Sequence, residues 1–122
     1  MKFAKWVYLF AGISGLIILI PQYFTRVKFG IDYPPAITHP EFYYGFVGLA
    51  VVWQILFLVL SRDPERYRPM MPVTVFEKAS FGFAALALHF NGGVSPLILG
   101  GAIMDLVLGV LFVMAYFKTR KN

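Results

Sequence analysis

Three ionisable residues interrupt the apolar stretches of this 122-residue chain: Glu77, Lys78 and Asp105. A charged group at the centre of a bilayer costs about 3 kcal/mol or more, so such groups mark ion pairs, proton relays or contacts with a partner. Asp105 lies near the middle of its apolar segment, between Gly101 and Gly109 at i−4 and i+4. That spacing gives a helix one face of small residues around an acid, a face that another backbone can approach closely. On the preceding segment Thr74, Lys78, Gly82, Ala85 and His89 recur at spacings of four and three, forming a second small and polar stripe. The two stripes are expected to pack together, with Asp105 opposite Gly82 and Lys78 opposite Gly109. A Lys78–Asp105 ion pair is then within reach, although side chains lean toward the N-terminus of their own helix and so lean apart in antiparallel neighbours. The alternative makes Glu77 and Lys78 a boundary pair five or six residues into the segment, with the lysine snorkelling outward.

Other chemistry is weaker. Ser14 and Gln54 fall at comparable depth in the first two segments. They either line a polar pocket with the charged residues or form ordinary interhelical hydrogen bonds. His39 and His89, with Glu41 near the first, are the only candidates for a metal or for axial haem ligands. No H-x-x-x-H or H-E-x-x-H spacing supports them, and no cofactor is assigned. Ser14, Ser61, Ser80 and Ser95 lack a Gly-x-Ser-x-Gly elbow, and no phosphate-binding or dinucleotide fingerprint occurs.

The elements that must position these groups are membrane helices. Of the residues, 59% are hydrophobic and 14% charged, and the mean hydropathy is +0.71; a soluble domain carries about 25% charged residues. Four apolar segments, 6–24, 41–60, 73–90 and 97–117, are each close to the roughly 20 residues that a spanning helix needs. The expected fold is all-α, a single polytopic domain over 1–122 forming a four-helix transmembrane bundle. Pro21 kinks or ends the first span, and residues 25–40 read as a polar loop. Thr38-His39-Pro40-Glu41 matches a capping box at the start of the second span. Asp63-Pro64-Glu65 predicts a short capped turn before Pro69. Asn91-Gly92-Gly93 ends the third span, and Ser95-Pro96 starts the fourth. So short a connection makes the last two spans antiparallel neighbours.

Eleven Lys and Arg against six Asp and Glu give a net charge of +5. The cations sit at span ends and form no continuous basic face, so nucleic acid is not an expected partner. Eight fall on one side (Lys2, Lys5, Arg62, Arg66, Arg68, Lys118, Arg120, Lys121) and two on the other (Arg26, Lys28). The positive-inside rule then makes both termini cytoplasmic, with Arg62, Arg66 and Arg68 at anionic headgroups. Tyr8, Tyr23, Tyr43, Tyr44, Tyr67 and Tyr116 fall near span ends, as in an aromatic belt. The charged start could belong to a signal peptide, but no small-x-small cleavage pattern follows. With no Cys there is no disulfide framework and no thiolate chemistry.

The stretch from Arg62 through Asp63-Pro64-Glu65-Arg66-Tyr67-Arg68-Pro69 to Pro72, with Glu77-Lys78, Phe81-Gly82, Asp105-Leu106 and residues 109–112, resembles small bacterial inner-membrane proteins. The four-span layout is similar to the DoxX-like group. That resemblance implies a fold and a bacterial inner-membrane location, and an accessory role near a quinone or lipid. It carries over no site residue. Small multidrug transporters share the length and span number, but their essential carboxylate lies in the first span, where this chain has none. The expected function is an accessory or scaffold protein that binds membrane lipids, partner helices, a second copy of itself, or a hydrophobic small molecule such as a quinone. One alternative is an oligomeric proton-coupled transporter using Asp105 with Lys78 or Glu77. The other is a membrane enzyme with Arg66, Arg68, Glu77 and His89 as acid, base or anion-binding groups.

Overall fold

Proline placement and two glycines delimit most of the helices. The computed structural model describes residues 2–119, which fold into five α-helices with no β-strand among them. Helix α1 (Lys2–Leu19) tightens into a 3₁₀ turn, Ile20–Phe24, where Pro21 removes a backbone donor. Helices α2 (Arg26–Asp32) and α3 (Pro40–Arg62) follow, then a 3₁₀ turn Arg68–Met70 that runs directly into α4 (Met71–Phe90), and finally α5 (Pro96–Lys118). Four 23-residue stretches, Lys2–Phe24, Pro40–Arg62, Arg68–Phe90 and Pro96–Lys118, are long and apolar enough to cross a membrane. At most 28% of the most apolar part of each is enclosed by protein. Their outer faces carry large apolar side chains such as Phe10, Ile17, Leu49, Phe76 and Phe83. A soluble chain could not leave these in water, and a bilayer needs them there.

Three boundaries differ by several residues from expectation, one being the start of the first span, at Lys2 and not at residue 6. Residues 25–40, expected as a polar loop, contain α2, and the chain turns back so closely that a Cβ on Gly30 would lie 3.0 Å from the Cα of Ala36. The third span begins at Arg68 and not at residue 73, because Pro69 and Pro72 both fall in first turns, where no intrahelical donor is needed. The second helix starts at Pro40, and the His39 carbonyl accepts from the amides of Phe42 and Tyr43. Asp63 caps its turn, its carboxylate accepting from the Arg66 amide at 3.4 Å. Ser95 caps α5 with Pro96 behind it, its hydroxyl oxygen accepting from the Ile98 amide at 3.2 Å. At the other side of that connection Gly92 and Gly93 adopt φ of +146° and +93°, and the Gly93 amide bonds back to the Leu88 carbonyl at 3.0 Å. Only glycine enters that region without strain, so the turn needs both residues.

The chain divides into two compact units, one of residues 1–8 with 60–122 and the other of residues 9–59. In the first, the buried face of α4 is Met71, Thr74, Lys78, Gly82 and Ala85, and that of α5 is Ala102, Leu108, Gly109, Phe112 and Ala115. Close approach occurs at Gly82, where a Cβ would lie 2.6 Å from Leu106 Cγ. Tyr8 completes the packing, stacked on Phe112 with ring centroids 4.2 Å apart and its hydroxyl 2.7 Å from Thr74 Oγ1. Thr74 gives its one hydroxyl proton to the Met71 carbonyl at 2.6 Å, so Tyr8 is the donor of that pair.

In the second unit Gly12 and Gly15 of α1 meet α3: a Cβ on Gly12 would collide with Leu58, and one on Gly15 with the Gln54 side chain. The 3₁₀ turn is tied down by Tyr43, whose hydroxyl donates to the Gln22 carbonyl at 2.7 Å. Tyr23 stacks on Tyr44 with centroids 6.1 Å apart, and Arg26 Nη1 donates to the Ile37 carbonyl at 3.1 Å. Of the cations behind the eight-to-two orientation count, Arg120 and Lys121 lie outside the described residues.

Candidate functional site

The hairpin of α4 and α5 assembles the charged residues. Lys78 Nζ lies 3.4 Å from Asp105 Oδ1, to which it donates, and 3.5 Å from Glu77 Oε1. The lysine side chain is 5% exposed, Glu77 16% and Asp105 23%, so the ammonium is enclosed and the carboxylates hold the rim. The expected divergence of antiparallel side chains is overcome by reach. Lys78 Cβ sits over Gly109, 3.5 Å from where a Cβ there would be, and its four-carbon stem runs one turn along α5 to Asp105. Gly109 leaves the space that the stem occupies.

Depth decides what the cluster means. Counted from Arg68, Glu77 lies nine residues into its span, and Asp105 lies nine residues beyond Pro96. At 1.5 Å per residue both are about 14 Å from a span end, close to the middle of a 30 Å hydrocarbon layer. Glu77 and Lys78 thus lie deeper along their span than the five or six residues counted from residue 73. Two carboxylates face one ammonium, and Glu77 Oε2 is buried with no hydrogen-bond partner among the described residues.

The remaining candidates are placed elsewhere or spend their polar groups locally. Gly101 meets only the edge of Phe81, at 3.8 Å from a Cβ position, an ordinary contact, so the tight approach belongs to Gly82. Ser14 Oγ donates to the Ala11 carbonyl at 3.3 Å, and Gln54 Nε2 to the Ala50 carbonyl at 2.9 Å, both within their own helices. Gln54 Oε1 is buried without a conventional donor, but it lies against Gly15, where a Cα–H can point at it in a weak hydrogen bond. A side chain at residue 15 would have to displace the Gln54 amide.

His39 Nδ1 stands 3.7 Å from Glu41 Oε2, both side chains 67% exposed, and His89 lies edge-on to Phe90 with no partner for its Nδ1 among the described residues. The two histidines belong to different units, and no three His, Cys, Asp or Glu side chains converge as a metal site among the described residues. Arg62 and Arg66 are exposed, whereas Arg68 is held: its Nε donates to the carbonyls of Thr119 at 2.9 Å and Tyr116 at 3.1 Å, with the guanidinium 3.8 Å from the Tyr116 ring centroid. Sequence reasoning missed this contact; Arg68 is 48 and 51 residues from its partners, so no local pattern encodes it.

No family model, curated protein or solved structure matches the chain.

Proposed function

We propose that the protein is a small multi-pass membrane accessory protein that uses the α4–α5 hairpin to hold a partner helix, a lipid or a hydrophobic small molecule carrying a hydrogen-bond donor. One observation carries this: Glu77 Oε2 is enclosed about midway along its span and lacks a donor among the described residues, while Asp105 beside it is a quarter open. An unsatisfied acceptor in hydrocarbon costs several kcal/mol, and a donor from a bound group removes that cost. The eight-to-two distribution of Lys and Arg supports cytoplasmic termini. We further propose a bacterial inner-membrane location, from the resemblance of residues 62–112 to small bacterial inner-membrane proteins, and a DoxX-like four-helix bundle, from the four-span layout.

Native mass spectrometry from mild detergent tests this function. The wild-type chain is expected to retain a protein, lipid or small-molecule adduct that Glu77→Leu loses. Repeated recovery of a bare monomer from several detergents would overturn it.

The charge count favours a second reading, a proton-coupled transporter. Two carboxylates around one ammonium leave one negative charge that a proton can neutralise, which suits a relay. Four spans are few for a pathway, so this version needs a homo-oligomer. Proteoliposome flux that survives Asp105→Asn would dispose of it.

A further inference from the structure

Arg68 is built as more than a surface cation. It is the first residue of the third span, and Thr119 follows the last residue of the fourth, so the pair sits where a bilayer's headgroups begin. The guanidinium is fixed before any ligand arrives: its Nε bonds two carbonyls at the end of α5, and its carbon lies over the Tyr116 ring, 3.8 Å from the centroid. Among the described residues neither Nη atom has a hydrogen-bond partner, which leaves the fork that guanidinium uses for two parallel bonds to a phosphate.

A second group at the same end is also incomplete. Thr119 is 2% exposed, and its Oγ1 has no partner among the described residues, although its carbonyl is the one that Arg68 takes at 2.9 Å. A χ1 rotation turns that hydroxyl into a donor for an incoming oxygen. At the chain ends and connection of this unit the charge is one-sided. Lys2, Lys5, Arg62, Arg66 and Lys118 belong to the same unit's chain ends and connection, against Asp63 and Glu65, and the Asp63 carboxylate is occupied in capping Arg66. Below Arg68 the outward faces of both helices are apolar, with Val73 and Phe76 on α4 and Met114 and Phe117 on α5. A fork at headgroup level above an apolar wall matches a ligand with a phosphate at one end and acyl chains at the other.

We propose that Arg68, with Thr119 at α5's end, binds the phosphate of an anionic phospholipid. This site is separate from the Glu77–Lys78–Asp105 cluster and stands whether or not that cluster has a ligand. Free phosphate would use the fork but not the wall.

The full-length protein, equilibrated in mild detergent with equal amounts of phosphatidylglycerol and phosphatidylcholine of the same acyl chains, is examined by native mass spectrometry. Phosphatidylglycerol is expected to be retained about tenfold over phosphatidylcholine. Arg68→Lys keeps the charge but loses the fork, so retention should fall about tenfold. Equal retention of the two lipids, undiminished retention by Arg68→Lys, or stripping of the lipid by millimolar inorganic phosphate each overturns the proposal. If Arg68→Lys fails to fold by circular dichroism, Thr119→Val decides. It leaves both Arg68–carbonyl bonds in place, and a several-fold loss of phosphatidylglycerol supports the site while unchanged retention rejects it.

Discussion

The two units solve the same problem with different materials. In the unit of residues 1–8 and 60–122, helix contact is organised around ions: an enclosed lysine bridges α4 to α5, and an arginine closes the end of α5. In the unit of residues 9–59 the one fully buried polar side chain among the described residues, Gln54, is neutral, and the half-buried cation Arg26 is met by a backbone carbonyl rather than a carboxylate. Gln54 and Ser14 bond within their own helices, Tyr43 takes a carbonyl of the 3₁₀ turn, and the ion pair Lys28–Asp32 stands open, with its side chains 73% and 45% exposed. A neutral group that fails to find a partner between helices can fall back on its own helix backbone, as Gln54 does. An enclosed ammonium has no such retreat, because its own helix cannot neutralise it. The first unit should therefore be the less tolerant of substitution.

Lys78→Met tests that contrast most severely, since it leaves Glu77 and Asp105 facing each other with no counter-charge. A loss of about 3–5 kcal/mol is expected from thermal unfolding in detergent. Adding Glu77→Gln and Asp105→Asn should restore most of it, whereas no recovery would mean that Lys78 acts through its stem against Gly109. Gly82→Ala should come next. The new methyl lies 2.6 Å from Leu106 Cγ, which can yield only by a χ1 change or a shift of the helix, and about 1–3 kcal/mol should be lost in the same assay.

In the second unit the counterpart is Gly15→Ala, which displaces the Gln54 side chain from Cγ outward, its closest contacts being side-chain atoms and not backbone. The cost is expected to be about 1 kcal/mol, and much of it should vanish in Gly15→Ala with Gln54→Ala, so the double-mutant cycle reads the contact directly. The smallest effect belongs to Lys28–Asp32. The 2.6 Å hydrogen bond to Asp32, together with its charge, holds the Lys28 ammonium above the ordinary lysine range. Its contribution is complete below the ordinary lysine pKa and is lost as pH rises through the raised value. An alkaline titration that monitors α2 should therefore show slight loosening that Asp32→Asn abolishes, with no comparable change near neutral pH.

Much of the membrane architecture was legible because composition and helix signals agree. Long apolar segments, Ser95-Pro96 and the Gly92-Gly93 pair set the helices, and the short connection set α4 against α5. The charged cluster was legible in outline, since an acid between two glycines halfway along an apolar segment has few places to go. Its depth was misread by a few residues because Pro69 and Pro72 look like helix breakers and act as helix starters here. Helix α2 was hidden for another reason. Val27 and Ile31 face outward, so no buried period-3.6 pattern marks it. The Gly15–Gln54 and Arg68–Tyr116 contacts join distant residues of common types, and nothing local announces them.

The turn at Gly92 and Gly93 also bears on how the hairpin enters the membrane during synthesis. Lys78 emerges from the ribosome 27 residues ahead of Asp105, so for that interval α4 carries a cation whose interhelical counter-ion has not yet been made. A connection this short keeps the first helix next to the second as it arrives, which suits lateral release of both together. Lengthening the turn is then expected to trap the chain beside the insertion machinery before it alters the finished fold.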